Sequence, residues 1–171
     1  LDTLGVILAA SGMEPAVRGV VDIVKESGGA PQCTVLGFGG KAPAVMAALA
    51  NGAMAHCLDY DDQTPWGQHC ASSIVPAAFA VAERQGGVSG KDLIAAVAVG
   101  QDIFARLRCN VDWKKDWNLS TVLAVFAATA SAGRVMGLPA SHIANAMGIA
   151  TMQSSGIMEM VAGRGSDLRG L

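Results

Sequence analysis

Thirty of the 171 residues are alanine and 21 are glycine, against four Phe, three Trp and one Tyr. A core made from such small side chains excludes most architectures that depend on large interdigitating residues. Alanine is the best helix former, and its short side chain lets helix backbones approach closely, so the composition predicts tightly packed helices. Runs of alternating β-branched residues are scarce, and the one short β-like run is Thr34-Val35-Leu36. The expected fold class is therefore all-α, an Ala/Gly-rich helical domain with at most one short β-hairpin. With 51% hydrophobic and only 15% charged residues, the chain holds enough apolar material for one sizeable core. A mean hydropathy of +0.40 further predicts an apolar face covered by a second subunit or by additional chain.

Charge and cysteine usage narrow the function classes. Twelve Lys+Arg stand against 14 Asp+Glu, with a pI near 5.9 and no basic stripe, so nucleic acid is not an expected partner. Apolar stretches such as 74–82 and 122–128 fall short of the ~20 residues that cross a hydrocarbon core, so no membrane span is expected. Residues 1–10 lack the basic start of a secretory signal and carry Asp2 there instead. Four scattered cysteines, Cys33, Cys57, Cys70 and Cys109, in a domain of this size suit reduced thiols and a cytoplasmic setting.

Along the chain, apolar spacing and breakers predict helices at 4–10, 15–25, 43–58, 72–84, 91–108, 118–136 and 141–152. Glu14 and Pro15 open the second, Ser89 and Ser141 are expected as N-caps, and the glycines at 86–87 and 137 act as stops. The run 33–38, with the Gly39-Gly40 pair, is expected to form a small hairpin. Residues 153–171 read as a loop or a helix approaching a site.

The densest group of chemically capable side chains is His56-Cys57-Leu58-Asp59-Tyr60-Asp61-Asp62, followed by His69-Cys70. On a helix, His56 and Asp59 at i,i+3 would share a face, and a carboxylate beside an imidazole fixes its tautomer and raises its basicity. That is the arrangement of a general acid/base near neutral pH. The same aspartates also suit capping and turn chemistry. His56, Cys57, His69 and Cys70 offer zinc-ligand types, but in spacings unlike the usual ones. Trp113, Lys114, Lys115 and Trp117 read as a solvated turn with buried indoles, His142 as a surface or first-turn residue, and Met152, Met158 and Met160 as adaptable packing. Gly163, Gly165 and Ser166 offer backbone N–H groups to an anion, with Arg164 or Arg169 able to grip a carboxylate.

The segment Asn51-Gly52-Ala53-Met54-Ala55-His56-Cys57-Leu58-Asp59-Tyr60-Asp61-Asp62 resembles the Asn-Gly-x-x-x-His-x-Leu-Asp-(Phe/Tyr)-Asp-Asp segment of the MmgE/PrpD family. That group includes 2-methylcitrate dehydratase, cis-aconitate decarboxylase and iminodisuccinate epimerase. The similarity continues through His69 and the following Ala-rich helix, Leu138-Pro139, Ser155-Gly156 and Gly165-Ser166. It implies that residues 1–171 are part of a helical domain, without the family's smaller lid domain. It also implies a cofactor-independent, metal-free enzyme that works as a homodimer on a small di- or tricarboxylate by proton transfer next to a carboxylate.

Carried over by motif, the resemblance makes Asp59 and His69 catalytic, with Asp59 orienting and charging His69. Gln63 stands where the decarboxylase has a threonine hydroxyl. Asn118 stands where the family's Gly-(Phe/Trp)-His-x-Thr pattern has a histidine, and Arg169 where Gly-Ser-x-x-Lys has a lysine. Asn118 and Gln63 are then expected to position substrate and Arg169 to clamp a carboxylate, since Asn cannot move a proton at neutral pH and Arg stays protonated. A lyase of the 2-methylcitrate dehydratase type is the first expectation. Its alternatives are an epimerase or isomerase of the same family, and a non-catalytic or truncated helical module. Without a lid, the isolated chain is expected to be inactive.

Overall fold

A computed structural model describes residues 1–113 and 115–159. Among these residues there are seven α-helices: α1 (Asp2–Met13), α2 (Pro15–Glu26), α3 (Ala44–His56), α4 (Ala71–Gln85), α5 (Gly90–Cys109), α6 (Leu119–Val135) and α7 (Ala140–Ala150). A 3₁₀ turn, Thr151–Gln153, follows α7. β1 (Cys33–Thr34) pairs antiparallel with β2 (Lys41–Ala42), Cys33 opposite Ala42 and Thr34 opposite Lys41. The all-α expectation with one short hairpin is borne out. No single helix among the described residues is long and apolar enough to cross a membrane.

The expected boundaries hold closely where cap chemistry is local. The Glu14 carboxylate accepts the Ala16 N–H ahead of α2, and the Ser89 hydroxyl accepts the Asp92 N–H ahead of α5. Gly86 at φ +70 ends α4. Ser141 is different: the N-cap of α7 lies two residues earlier, at Pro139, and no side chain caps the helix. Proline fixes an extended entry there without any hydroxyl, so Ser141 lies inside the first turn. The helix expected through 152 also ends at Ala150, where the chain tightens into the 3₁₀ turn.

Among the described residues two larger cores form, one on each side of α4, besides a smaller cluster of Ala78, Ala96 and Val135. On one side α1, α2, α3 and the hairpin enclose Ile7, Val17, Val21, Val24, Val35, Met54 and a row of alanines. On the other, α4, α5 and α6 enclose Ile74, Phe104, Leu119, Leu123 and Ala127. The small residues do what the composition predicts. A Cβ on Gly100 of α5 would stand 2.7 Å from Ile74 Cγ2 and 3.1 Å from the Ala127 carbonyl, so only glycine permits that approach of α5 to α4 and α6.

The hairpin is tied down by polar groups. Buried Asn51 of α3 accepts the Leu36 N–H (2.9 Å) and donates to the Thr34 carbonyl (3.0 Å). Glu83 of α4 accepts the Thr34 N–H and hydroxyl, both at 2.7 Å, and pairs with Lys41 at 2.9 Å. Asn51, the first residue of the twelve-residue motif, is thus a structural clamp. At the far end, residues 154–158 run beside 116–118: Asn118 N–H donates to the Gly156 carbonyl (2.8 Å), and Met158 N–H to that of Asp116 (2.9 Å). A Cβ at Gly156 would overlap the Thr121 hydroxyl, so this approach needs a glycine.

Candidate active site

The helix α3 stops at His56, because Cys57 caps it and Asp59 takes a left-handed backbone, φ +49. The i,i+3 helical register expected for His56 and Asp59 therefore does not exist. The chain instead folds back through residues 57–70. A turn closed by Gly67 N–H to the Thr64 carbonyl (2.9 Å) and Thr64 N–H to the Gln68 carbonyl (2.8 Å) shapes this return. His69 N–H donates to the Ser120 hydroxyl (3.1 Å), fixing the end of the loop to α6.

This path brings His69 against His56, with ring centroids 4.9 Å apart and planes inclined by 56°. Between them lies Asp61, whose side chain has no solvent exposure. Its Oδ1 is 2.9 Å from His56 Nδ1, in hydrogen-bonding alignment. The same oxygen is 3.1 Å from His69 Nδ1 but out of line with it, so that contact is an ion-pair approach without a hydrogen bond. Asp59, with a side chain 60% exposed, comes within 3.7 Å of the other nitrogen, His69 Nε2. Asp62 is half-buried, and desolvation together with the neighbouring Asp61 charge raises its pKa above the usual carboxylate range.

His56 and His69 open onto a cavity of about 340 Å³ between α3, α4 and the start of α6. Gly52, Ser72, Ser73, Asn118, Ser120 and Thr121 also line it. The amino ends of α4 and α6 both face this space, and helix N-termini favour negative charge. Ser120 Oγ accepts from His69 N–H, which leaves its own proton to donate.

Of the residues expected in the site, Asp59 and His69 meet, and Asn118 lines the same cavity. Asn118 is also the N-cap of α6, its side-chain Oδ1 accepting the Ser120 N–H at 3.0 Å. Gln63 is exposed and is not among the residues lining the cavity. Arg169, like Met160, Gly163, Arg164, Gly165 and Ser166, lies outside the described residues. What sequence spacing missed is the part of Asp61: only burial distinguishes it from its two acidic neighbours. The signal available was that it is two residues from Asp59, where a turn rather than a helix would bring it back under His56.

The donor atoms of His56, Asp61 and His69 lie within 4.8 Å of one another, a set that includes two imidazoles and a carboxylate, ligand types zinc accepts. The cysteines do not join them. Cys70 is buried and its thiol donates to Gln101 Oε1 at 2.8 Å, with burial pushing its pKa up to about 12. The Cys57 thiol turns to the Met54 carbonyl at 3.8 Å, and burial raises its pKa as well. All four cysteines are unpaired.

Other expectations are corrected by exposure. The indoles of Trp113 and Trp117 are not buried; they are 38% and 44% exposed, with Trp113 Nε1–H donating to the Trp117 carbonyl at 2.8 Å. Met152, expected in packing, is 82% exposed. His142 is exposed in the first turn of α7, as expected.

The fold and site together define an all-α domain that carries a histidine–aspartate cluster suited to acid–base chemistry. The chain belongs to the MmgE/PrpD family, since residues 1–170 match the MmgE/PrpD N-terminal domain. It is similar to the cis-aconitate decarboxylase of Aspergillus terreus, 31% identical over 137 residues, covering 74% of this chain and 28% of that relative. A cis-aconitate decarboxylase-like protein of Aspergillus oryzae is 29% identical over 156 residues, 85% of this chain and 32% of its own. The human cis-aconitate decarboxylase is 29% identical over 128 residues, 70% of this chain and 26% of its own. The chain thus spans about a third or less of the length of these curated relatives.

Proposed function

We propose that this chain supplies the acid–base centre of a lyase that acts on a small di- or tricarboxylate by moving a proton at a carbon next to a carboxylate. The observation that carries this reading is the His56–Asp61–His69 cluster opening onto a cavity lined by hydroxyls and two helix N-termini. In the reaction, His69 Nε2 takes the proton from carbon and returns it, to the leaving oxygen in an elimination or to carbon in an isomerisation. Asp59 stands beside that nitrogen at the rim. The Ser72, Ser73 and Ser120 hydroxyls and the amino ends of α4 and α6 receive substrate carboxylates, with Asn118 adding its amide N–H and Arg169 a guanidinium. Gln63 reaches substrate from the exposed side of the loop.

Similarity to cis-aconitate decarboxylases supports dehydration or decarboxylation as the first reading. Epimerisation or isomerisation is the second reading, favoured by Asn118: an amide at this position of the cavity holds a hydrogen bond but transfers no proton at neutral pH. The enzyme is further proposed to work without metal or organic cofactor, as a cytoplasmic homodimer, in a longer protein whose additional residues close the cavity and exclude water.

The test is turnover of cis-aconitate, 2-methylcitrate, citrate, malate and iminodisuccinate by the full-length protein, followed by His69→Ala. Loss of turnover of the accepted acid in His69→Ala is expected; intact turnover in that variant would sink the assignment. Stoichiometric zinc in elemental analysis of active protein would overturn the metal-free part.

A further inference from the structure

We propose that Asp61 is the positioning residue of this site: it holds both imidazoles by their Nδ1 atoms and so keeps His69 Nε2 directed to the reacting side. The inference rests on the reading of His69 as the acid–base group and adds the carboxylate that controls it.

A carboxylate taken wholly out of water is costly unless hydrogen-bond donors surround it. Asp61 is in that position, and the basic groups that reach it among the described residues are the two rings, at 2.9 Å and 3.1 Å. The aligned bond from His56 places a proton on Nδ1 of that ring. His69 differs: its Nδ1 is buried, close and unaligned, while Asp61 Oδ2 is buried without a hydrogen-bond partner. A small rotation of the His69 ring aligns its Nδ1, already 3.1 Å from Asp61 Oδ1, with that carboxylate. That rotation puts the Nδ1–H on Asp61 and leaves the Nε2 lone pair as the base.

The electrostatics favour this assignment over Asp59 alone. When His69 takes a proton at Nε2, the ring becomes a cation, and the charge appears 3.1 Å from a carboxylate shielded from water. The same charge is 3.7 Å from Asp59, whose side chain is 60% exposed and therefore screened. Asp61 thus acts on His69 in the step where charge develops, and His56 keeps the carboxylate in place between turns.

Two readouts on the full-length protein test the proposal. The first is the rate at which diethyl pyrocarbonate modifies His69, followed by peptide mass spectrometry, which needs no turnover. The second is the division of any loss between kcat and KM on the acid that the wild type turns over. At about pH 8.5, above the ordinary imidazole range, Asp61→Asn is expected to slow His69 modification, and at its working pH to lower kcat by roughly 10–100-fold with KM little changed. Asp61→Glu, which restores the charge, is expected to recover part of both. Wild-type modification rate at His69 in folded Asp61→Asn would overturn the proposal, as would a loss confined to KM. Failure of the wild type to turn over any acid would instead strike the functional reading, while the modification rate still decides the part of Asp61. Should Asp61→Asn not fold, His56→Gln carries the test. With one ring removed, Asp61 is left to His69, so modification of His69 is expected to hold or rise, and its collapse would overturn the proposal.

Discussion

Residues 57–70, and residues 110–113 with 115–118, are both polar stretches that lead into a helix, and each borders a cavity. The first borders the space of about 340 Å³ at His56 and His69. The second borders one of about 390 Å³ walled by Asp112, Trp113, Asp116, Trp117 and Leu119. By volume the second is no smaller, and it carries two indoles. Yet its polar groups face water and its rings are partly exposed, whereas the first draws a fully buried carboxylate into contact with two mostly buried imidazoles. What separates a reactive site from a dent in the surface is the burial of charge against matched partners, since only there are electrostatic interactions strong.

The difference can be broken or sharpened by substitution. The largest effect is expected at His69: in the full-length protein His69→Ala should lower kcat/KM by roughly 10²–10⁴-fold, the usual worth of a positioned acid–base group, measured on the accepted acid. Next comes the link between the loops. Arg108 Nε donates to Gln68 Oε1 at 2.7 Å and its Nη1 to the Val111 carbonyl at 3.2 Å, joining the end of one loop to the start of the other. Because Gln68 is buried, Arg108→Ala should cost about 1–3 kcal/mol, read as a lower thermal midpoint.

Asp62 gives a smaller, pH-dependent effect. Desolvation and the Asp61 charge raise its folded-state pKa above the unfolded value, so the folded state holds its proton over a pH range in which the unfolded chain has lost it. Stability from this group therefore falls as pH rises from about the unfolded carboxylate value of ~4 through the raised one. Asp62→Asn should raise the thermal midpoint at pH 7, with the gain vanishing below the unfolded value; a gain that persisted in acid would contradict the cause. Thiol labelling at pH 8 sharpens the same contrast, with exposed Cys109 expected to react and Cys70, pushed up to about 12, to stay protected in native protein. The smallest effect is expected in the second loop, where Trp113→Ala should change kcat/KM by no more than about twofold.

Much of the architecture was legible in the chain, and the reasons are local. Glu14 ahead of Pro15, Ser89 three residues before Asp92, and the glycines at 86 and 137 each satisfy or break a helix end with their own backbone neighbours. Ser141 failed for the same reason: a proline two residues earlier had already set the entry to α7. The composition of alanine and glycine fixed the manner of packing, because close helix approach depends on side-chain size, as Gly100 against Ile74 shows.

The candidate site was legible only in part. The residue types of the candidate site, and their concentration between His56 and His69, stood in the sequence. Which aspartate serves which ring did not, because Asp59, Asp61 and Asp62 are chemically identical and differ only in where a left-handed residue at 59 sends the chain. Likewise, two tryptophans close in sequence suggested burial, but burial depends on what another segment places over them. Sequence alone determined the helices, the hairpin and the stock of reactive groups, since these follow from backbone preference and side-chain chemistry. Tertiary structure decided which carboxylate leaves water and which imidazoles meet it, because desolvation and distance are properties of chain segments brought together in space.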